Sequence, residues 1–263
     1  MALLEIACFN LDSAITAIES GADRVELCDN ADLGGTTPQD VMRWISEIRS
    51  RTLTNRSNPD GLLLPPINVM VRPRGGTFIY TDKEYEEMKK TIISLKTSGL
   101  VDGFVFGILL LLKTSDDGGG TTTASSSIEV AIDIDRTKKL VELAHPLPCT
   151  FHRAFDEVEN LSRALEDVIS CGITTVLTSG GTVNAVQGAE VLGQLVQEAA
   201  GRITVMPGGG VRSTNLKMLH QTINSSAYHS SALIAPESVV TDKEEILRML
   251  EILRPEATTT TTD

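Results

Sequence analysis

The chain has 263 residues, of which 41% are hydrophobic, and its 35 acidic and 23 basic side chains give a formal net charge of -12. This length and apolar content are enough for one large domain with its own core. The acidic balance argues against nucleic acid or anionic lipid, because phosphate groups bind clustered lysine and arginine. We therefore expect neither a nucleic-acid nor a membrane partner.

The cysteine pattern and the amino terminus indicate a cytoplasmic protein, or one shared between cytoplasm and nucleus. The four cysteines are scattered without a CxxC pair, which is typical of neither a disulfide framework nor a zinc site. The first residues lack a basic start and Glu5 interrupts their apolar run, so no signal peptide is expected. The longest apolar stretches, 62–66 and 108–112, are far too short to span a bilayer.

Strand-like and helix-like segments alternate along the whole chain. Short runs rich in strand formers are each followed by a segment with apolar residues at helical spacing. In chain order the predicted strand and helix pairs are 3–9 with 11–21, 24–29 with 37–50, 67–73 with 81–99, 103–109 with 133–145, 149–155 with 160–172, 174–181 with 184–201, 203–210 with 213–224, and 226–234 with 241–253. The second helix is predicted to begin with Thr37 as its cap and Pro38 at its first position.

Eight such units predict an α/β fold, a (β/α)8 TIM barrel. Alternating strands and helices form a parallel sheet, and eight units favour closure of that sheet. The alternative is an open doubly wound sheet, but no GxGxxG follows the first strand to support it. We expect one barrel domain over 1–254, a flexible inserted loop of low complexity at 113–127, and a disordered tail at 255–263.

In such a barrel the site lies at the carboxyl ends of the strands, and the polar residues of this chain concentrate there. Glu5 and Glu26 are expected inside the barrel, with Arg72 as their ion-pair partner. His152 is expected between carboxylates, which would raise its pKa and suit it to acid–base chemistry. Asp156 completes this set of five candidate catalytic residues. The alternatives are a structural ion-pair network and a buried structural histidine.

A second group of polar and glycine residues predicts a pocket for an anionic ligand. Backbone amides of glycines at a helix start bind anions, and barrels often bind phosphate after their seventh and eighth strands. The candidate ligand-binding residues are Arg74, Arg153, Ser179, Gly208, Gly209, Gly210, His229 and Ser230. The alternative is that these glycines merely form tight turns between strand and helix.

Several long segments resemble the CutC family of copper homeostasis proteins. They are LEIACFNLDSA, GADRVELC, GGTTP, VMVRPRGGTFIYTDKE, CTFHRAFDEV, TVLTSGG, MPGGGVR and HSSA, in the family's order from about Leu3 to Leu233. The resemblance implies a (β/α)8 barrel, a cytosolic homodimer or homotetramer, and Cu(I) binding through inward cysteines of the first two strands. Compared with the family, the loop after the eighth strand is shortened, which would open or remove part of the anion pocket.

Cys28 matches the second of the family's cysteines and is the candidate metal ligand. The first has no match, because Ala7 occupies its position and Cys8 is displaced by one residue. A shift of one residue reverses the side-chain direction in a strand, so Cys8 is expected to face the helices. Met70 and Met206 are further soft ligands that an inward Cys–Met site would use, and the alternative is that both only fill the core. Cys149 and Cys171 are interpreted as structural.

Three functions remain open from the sequence, of which the third is a barrel retained as an interaction scaffold. The first is a copper homeostasis protein that binds Cu(I) in the cytosol. The second is an enzyme of unknown specificity that acts on a small anionic or phosphorylated metabolite at the carboxyl face of the barrel. Whether the chain is an enzyme is left open, since no motif identifies a reaction.

Overall fold

The computed structural model describes residues 1–54, 64–113, 128–235 and 237–254. Its strands are β1 (Leu3–Cys8), β2 (Arg24–Leu27), β3 (Ile67–Met70), β4 (Gly103–Phe106), β5 (Leu109–Lys113), β6 (Ile128–Ile132), β7 (Cys149–Phe151), β8 (Thr175–Thr178), β9 (Thr204–Pro207) and β10 (Ala227–Ser230). Its α-helices are α1 (Leu11–Glu19), α2 (Val41–Thr54), α3 (Asp82–Ser98), α4 (Ile134–Ala144), α5 (Leu161–Ser170), α6 (Ala189–Ala199), α7 (Ser213–Ile223) and α8 (Lys243–Leu253).

Eight of the strands form one parallel sheet in the order β10, β1, β2, β3, β4, β7, β8, β9. Strands β9 and β10, at the two ends of this order, also lie side by side, so the sheet closes. Helices connect the successive strands, as the right-handed crossover of parallel strands requires. The predicted (β/α)8 TIM barrel is confirmed.

An antiparallel ribbon of β5 and β6 follows β4, and the sequence did not predict it. Its register pairs Leu109 with Ile132 and Lys113 with Ile128. The two strands therefore flank the segment predicted as an inserted loop. Apart from Lys113, that loop and the predicted tail at 255–263 lie outside the described residues.

Each barrel strand has one face toward the helices and one toward the interior. In β1 the residues Leu4, Ile6 and Cys8 are buried in the large apolar cluster that contains the helix faces. Glu5 and Ala7 alternate with them and are buried on the other side. The placement of Cys8 on the helix side is confirmed. Polar residues therefore enter the barrel interior wherever the alternation of a strand carries them.

The helices begin and end at residues that satisfy their free backbone groups. Asn10 caps α1 by accepting from the amide of Ser13, and Thr81 forms a capping box with Glu84 at the start of α3. The predicted cap of the second helix is wrong, because α2 begins only at Val41. Thr37 instead exchanges hydrogen bonds with the backbone of residue 72. Among the described residues, no helix has the length and apolar character needed to cross a bilayer.

Candidate functional site

Glu5 lies fully buried in the barrel interior among three polar side chains. Arg24, two residues before Glu26 on β2, donates to Oε2 of Glu5, and Asn68 of β3 donates to the same oxygen at 3.4 Å. His229 of β10 contacts Oε1 through its Nδ1 at 2.7 Å. Burial raises the pKa of Glu5, but the charge of Arg24 and the contact with His229 outweigh it and bring the pKa to about 2. Glu5 is therefore an ionised carboxylate with a full set of partners.

His229 lies between two buried carboxylates. Its Nδ1 faces Glu5, and its Nε2 lies 3.7 Å from Oε2 of Glu26. Burial alone lowers the pKa of His229, but the hydrogen bond to Glu5 and the charge of Glu26 reverse this and raise it. The sequence predicted His152 between the carboxylates, but in the structure His229 occupies this position.

Glu26 is the second buried carboxyl and differs from Glu5 in its surroundings. Its Oε1 has no hydrogen-bond partner in the described part of the chain. Burial raises its pKa, His229 opposes the rise, and the charge of Glu5 adds to it, for a pKa of about 7. Glu5, Glu26 and His229 each offer one oxygen or nitrogen within 4.8 Å of the others, a spacing that would hold a metal ion.

Arg72 does not pair with Glu5 or Glu26, so that prediction is wrong. Its guanidinium is buried and donates to the carbonyls of Leu33, Gly35 and Gly76, in the loops after β2 and β3. Its Nε has no partner among the described residues. Arg72 begins beyond the end of β3, so its side chain lies above the barrel and ties two loops together.

His152 is buried near the top of the barrel, 3% exposed, but away from the carboxylates. Its Nδ1 accepts from the amide of Ala154, and its Nε2 has no partner in the described part of the chain. Burial and the charge of Arg72 lower its pKa to about 3, which contradicts the predicted rise. The ring packs against Phe78 and stands so close to Gly107 that a Cβ there would lie 2.5 Å from Nδ1. His152 is thus a neutral imidazole, and its Nε2 carries the proton because Nδ1 accepts.

Glu26, His152 and His229 line a cavity of about 190 Å³ at the carboxyl end of the barrel. Its lining is Ala7, Phe9, Glu26, Cys28, Gly34, Met70, Phe78, His152, Arg153, Leu177, Gly209, Gly210, Arg212, His229, Ser230 and Ser231. Five buried side-chain polar atoms lack a partner in the described residues, and two of them, Glu26 Oε1 and His152 Nε2, belong to this lining. Unpaired buried polar atoms are rare in folded proteins, so their concentration here indicates a place for a ligand.

Cys28 and Met70 form a small buried cluster with Val105, and Phe9 packs against it. A Cβ on Gly35 would lie 3.6 Å from Sγ of Cys28 and 3.4 Å from Cε of Met70, so the two side-chain ends share one neighbourhood. Burial and the nearby Glu26 raise the pKa of the Cys28 thiol well above its usual range. The pair is therefore a protonated thiol and a thioether beside the cavity.

The other sulfur atoms lie elsewhere. Met206 faces the interior, but it packs with Leu177 and accepts from Arg24 through its sulfur at 3.4 Å. Cys149 and Cys171 are buried and unbonded to another cysteine. Burial raises the pKa of Cys149 to about 12, as befits a small apolar side chain in a core.

Asp156 and Ser179 do not line the cavity, but both contact Arg153. Asp156 accepts from Arg153, from the hydroxyl of Thr178 and from the amides of Ser179 and Gly181. Ser179 accepts from Arg153 at 2.8 Å and donates to Asp156 at 3.0 Å. Both residues therefore position Arg153, which itself lines the cavity.

Arg74 and Gly208 do not line the cavity. Arg74 pairs with Glu84 and borders a separate groove of about 410 Å³ beside α3. Gly208 is buried, and a Cβ there would lie 2.4 Å from Leu177, so glycine is required for packing. A still larger groove of about 890 Å³ lies outside the barrel mouth, where Glu157, Glu159 and Glu198 give it acidic walls. Neither groove is lined by the unpartnered Glu26 or His152.

Sequence reasoning missed Arg24 and Arg212. Arg24 shares the inward face of β2 with Glu26 and Cys28, so the alternation that placed those two would also have placed Arg24. Arg212 lies in the MPGGGVR segment, beside Ser231 in the cavity lining. No strand pattern extends to Arg212, and only its position after the glycine turn hinted at a role.

A model of the CutC family matches residues 2–234. The chain belongs to the CutC family. It is 37% identical to the copper homeostasis protein cutC homolog of Homo sapiens over 230 residues, which are 88% of this chain and 73% of that protein. It is 38% identical to the family protein CutC of Chromobacterium violaceum, over 88% of this chain and 81% of that protein.

A solved structure of the family agrees with this membership. The crystal structure of CutC from Streptococcus agalactiae superposes with a TM-score of 0.68 at 28% identity, covering 88% of this chain and 99% of that one. Phosphoribosyl anthranilate isomerase from Thermotoga maritima superposes with a TM-score of 0.55 at 12% identity, over 97% of this chain and 99% of that chain. That second likeness shows the barrel fold alone. The chain is thus a CutC-family barrel, and curated relatives carry the name of copper homeostasis proteins.

Proposed function

We propose that this CutC-family chain serves copper homeostasis by binding Cu(I) as cargo, with Cys28 and Met70 as its sulfur ligands. The observation that carries the proposal is the shared cluster of a thiol and a thioether at the edge of the cavity. Thiolate and thioether sulfurs are the soft ligands that Cu(I) prefers. The names of the curated relatives support the same role.

The electrostatics around Cys28 also suit a cation. The thiol is protonated because burial and Glu26 both disfavour a second negative charge there. A Cu(I) ion that replaces the thiol proton brings a positive charge, which removes the repulsion between thiolate and carboxylate. Ala7 leaves the site with one cysteine rather than two, so Met70 has to act as the second sulfur.

An anaerobic Cu(I) titration against a competing chromophoric chelator tests this proposal on reduced, metal-free protein. We expect one tightly bound ion in the wild type, which Cys28→Ala loses. Cys149→Ala is the matched control, because Cys149 is also buried and unbonded but lies in the core between strands and helices. Binding that is weak, or equal in the wild type and Cys28→Ala, would remove copper as the purpose of this cavity.

A second candidate function is an enzyme that acts on a small anionic or phosphorylated metabolite at the carboxyl face. The specific observation in its favour is the pair of unpartnered atoms, Nε2 of His152 and Oε1 of Glu26, since a site with sulfur ligands alone requires neither. A metabolite screen by turnover tests it, followed by His152→Ala. Activity lost in His152→Ala with Cu(I) binding intact supports the enzyme, and absence of turnover on all anionic metabolites contradicts it.

Location and assembly belong to the same proposal. Four free, buried cysteines suit a reducing compartment, so we place the protein in the cytosol, with access to the nucleus. The homodimer or homotetramer that family resemblance implies remains a prediction. Light scattering on the purified protein tests the assembly, and fluorescence of a tagged chain tests the location.

A further inference from the structure

Arg212 is a half-buried cation without an acidic partner within ion-pair distance in the described residues. Its guanidinium donates to the carbonyls of Val211 and Leu233 and to the hydroxyls of Ser230 and Ser231, all of them neutral. Burial lowers its pKa, and the distant Glu245 only partly restores it. A desolvated charge in this condition favours an anionic counter-charge, and Arg212 lines the central cavity.

Arg153 brings a second cation to the same rim. Its Nε donates to Asp156 and its Nη2 to Ser179, which leaves Nη1 without an acceptor in the described part of the chain. This Nη1 lies 3.3 Å from the point that a Cβ on Gly209 would occupy. The free end of Arg153 therefore lies directly against the glycine turn.

The glycine turn adds backbone donors. The carbonyls of Gly209 and Gly210 accept from Ala185 and Asn215, whereas the amides of residues 209–211 donate to none of the described acceptors. Gly209 and Gly210 have φ of +87° and +77°, a conformation in which a side chain is strained. Free amides of such turns form concave anion sites.

A separate observation indicates that the cavity binds a ligand. Nε2 of His152 is a buried donor without a partner among the described residues, and His152 lines the cavity with Gly209 and Arg212. The volume of about 190 Å³ is below the roughly 300–1,000 Å³ of pockets for drug-sized molecules. The occupant is therefore small.

We propose that Arg153, Arg212 and the amides of 209–211 bind the phosphate of a small phosphate monoester, whose uncharged end reaches His152. Two guanidinium groups and three amides offer more donors than the two oxygens of a carboxylate can accept, whereas the three terminal oxygens of a phosphate monoester can accept them. The inference rests on the second candidate function, for which it names the substrate class, and it is independent of Cu(I) binding.

Amide chemical shifts of ¹⁵N-labelled, reduced protein test the proposed phosphate site directly. The probes are inorganic phosphate, glycerol 3-phosphate and, for comparison, acetate at the same ionic strength. We expect saturable shifts at residues 209–211 with both phosphates and a much weaker response to acetate. Arg212→Gln should weaken phosphate binding at least about tenfold. The matched control is Arg202→Gln, which removes an exposed arginine paired with Glu166 on the outer surface.

Each of the next three outcomes overturns the proposal in a different way. If the folded wild type shows no saturable shifts, or shows them only at other residues, a phosphate site at this turn is excluded. This result does not depend on whether Arg212→Gln folds. Equal weakening in Arg202→Gln shows diffuse charge attraction. Acetate binding as tight as phosphate leaves an anionic-metabolite enzyme standing but removes the phosphate monoester. Phosphate binding that is retained in Cys28→Ala supports a phosphate site that is independent of the Cu(I) site.

Discussion

The lower and upper layers of the barrel interior differ in whether their buried polar groups have hydrogen-bond partners. The lower layer is the cluster of Glu5, Arg24, Asn68 and His229, in which every side chain contacts Glu5. The upper layer consists of Cys28, Met70, His152 and the Oε1 end of Glu26. Here the sulfur atoms lie beside the cavity, and the two orphaned atoms have no partners in the described residues.

The difference separates groups that hold the barrel together from groups kept for a ligand. A buried charge network is favourable only when all its members are satisfied, as the lower layer is. An unpaired buried group costs about 1–3 kcal/mol, and the upper layer bears that cost at the place where the cavity lies. Both functional proposals therefore concern the upper layer.

The largest effect is expected from breaking the lower layer. Glu5→Gln leaves Arg24 and His229 without their carboxylate, and loss of one member of a buried ion pair costs about 3–5 kcal/mol. Urea unfolding of the reduced protein measures the change. Glu166→Gln, which removes the exposed partner of Arg202, is the control and should leave stability unchanged. A loss in Glu5→Gln no larger than in the control would show that the lower layer is not structural.

A smaller effect is expected from the acid response of His152. Its pKa falls from 6.5 to about 3 on folding, so between these values the unfolded state binds more protons and stability declines as pH falls. From pH 6.5 to about pH 4.5 this loss amounts to roughly 2 to 3 kcal/mol. His152→Gln removes it, so its unfolding free energy should depend less on pH in that window.

The unfolding free energy of the wild type is compared with that of His152→Gln at each pH. This comparison is needed because the titration of Glu26 changes stability with pH in the opposite direction. Its pKa rises from 4.5 to about 7 on folding, so its contribution to stability declines as pH rises through that range. Both proteins contain Glu26, and its contribution largely cancels. Parallel pH profiles for the two proteins would contradict a neutral, buried His152.

A second thiol in the upper layer should strengthen Cu(I) binding. Ala7 lines the cavity beside Cys28, so Ala7→Cys supplies the second inward sulfur, and we expect Cu(I) affinity to rise at least about tenfold, or about 1.4 kcal/mol. Competition with the chromophoric chelator measures this gain. Cys8→Ala is the matched test of side-chain direction and should leave Cu(I) affinity unchanged. A gain absent in Ala7→Cys would show that Cu(I) does not bind at this edge of the cavity.

The smallest effect is expected for Met70→Leu. Leucine keeps the apolar volume but lacks sulfur, so stability should change by less than about 1.5 kcal/mol. Cu(I) affinity should fall by up to about tenfold, because one soft ligand is lost. Chelator competition and urea unfolding on the same preparation give both numbers. Unchanged Cu(I) affinity would exclude Met70 as a ligand.

The sequence alone determined the barrel and the face on which several side chains lie. Alternating segments predicted eight strand–helix units, and the two-residue period of a strand placed Glu5, Glu26 and Cys28 inside and Cys8 outside. These conclusions hold because secondary-structure periods are local. The ribbon of β5 and β6 was not predicted, because its two strands lie on opposite sides of a low-complexity segment of the sequence.

The tertiary structure alone decided which side chains meet. His229 lies 224 residues from Glu5, and they contact because closure of the barrel pairs β10 with β1 in that register. Arg72 misses the carboxylates because it lies beyond the end of β3, where its side chain binds loop carbonyls instead. Alternation gives a side chain its face, but its neighbours depend on strand register and barrel closure, which only long-range packing determines.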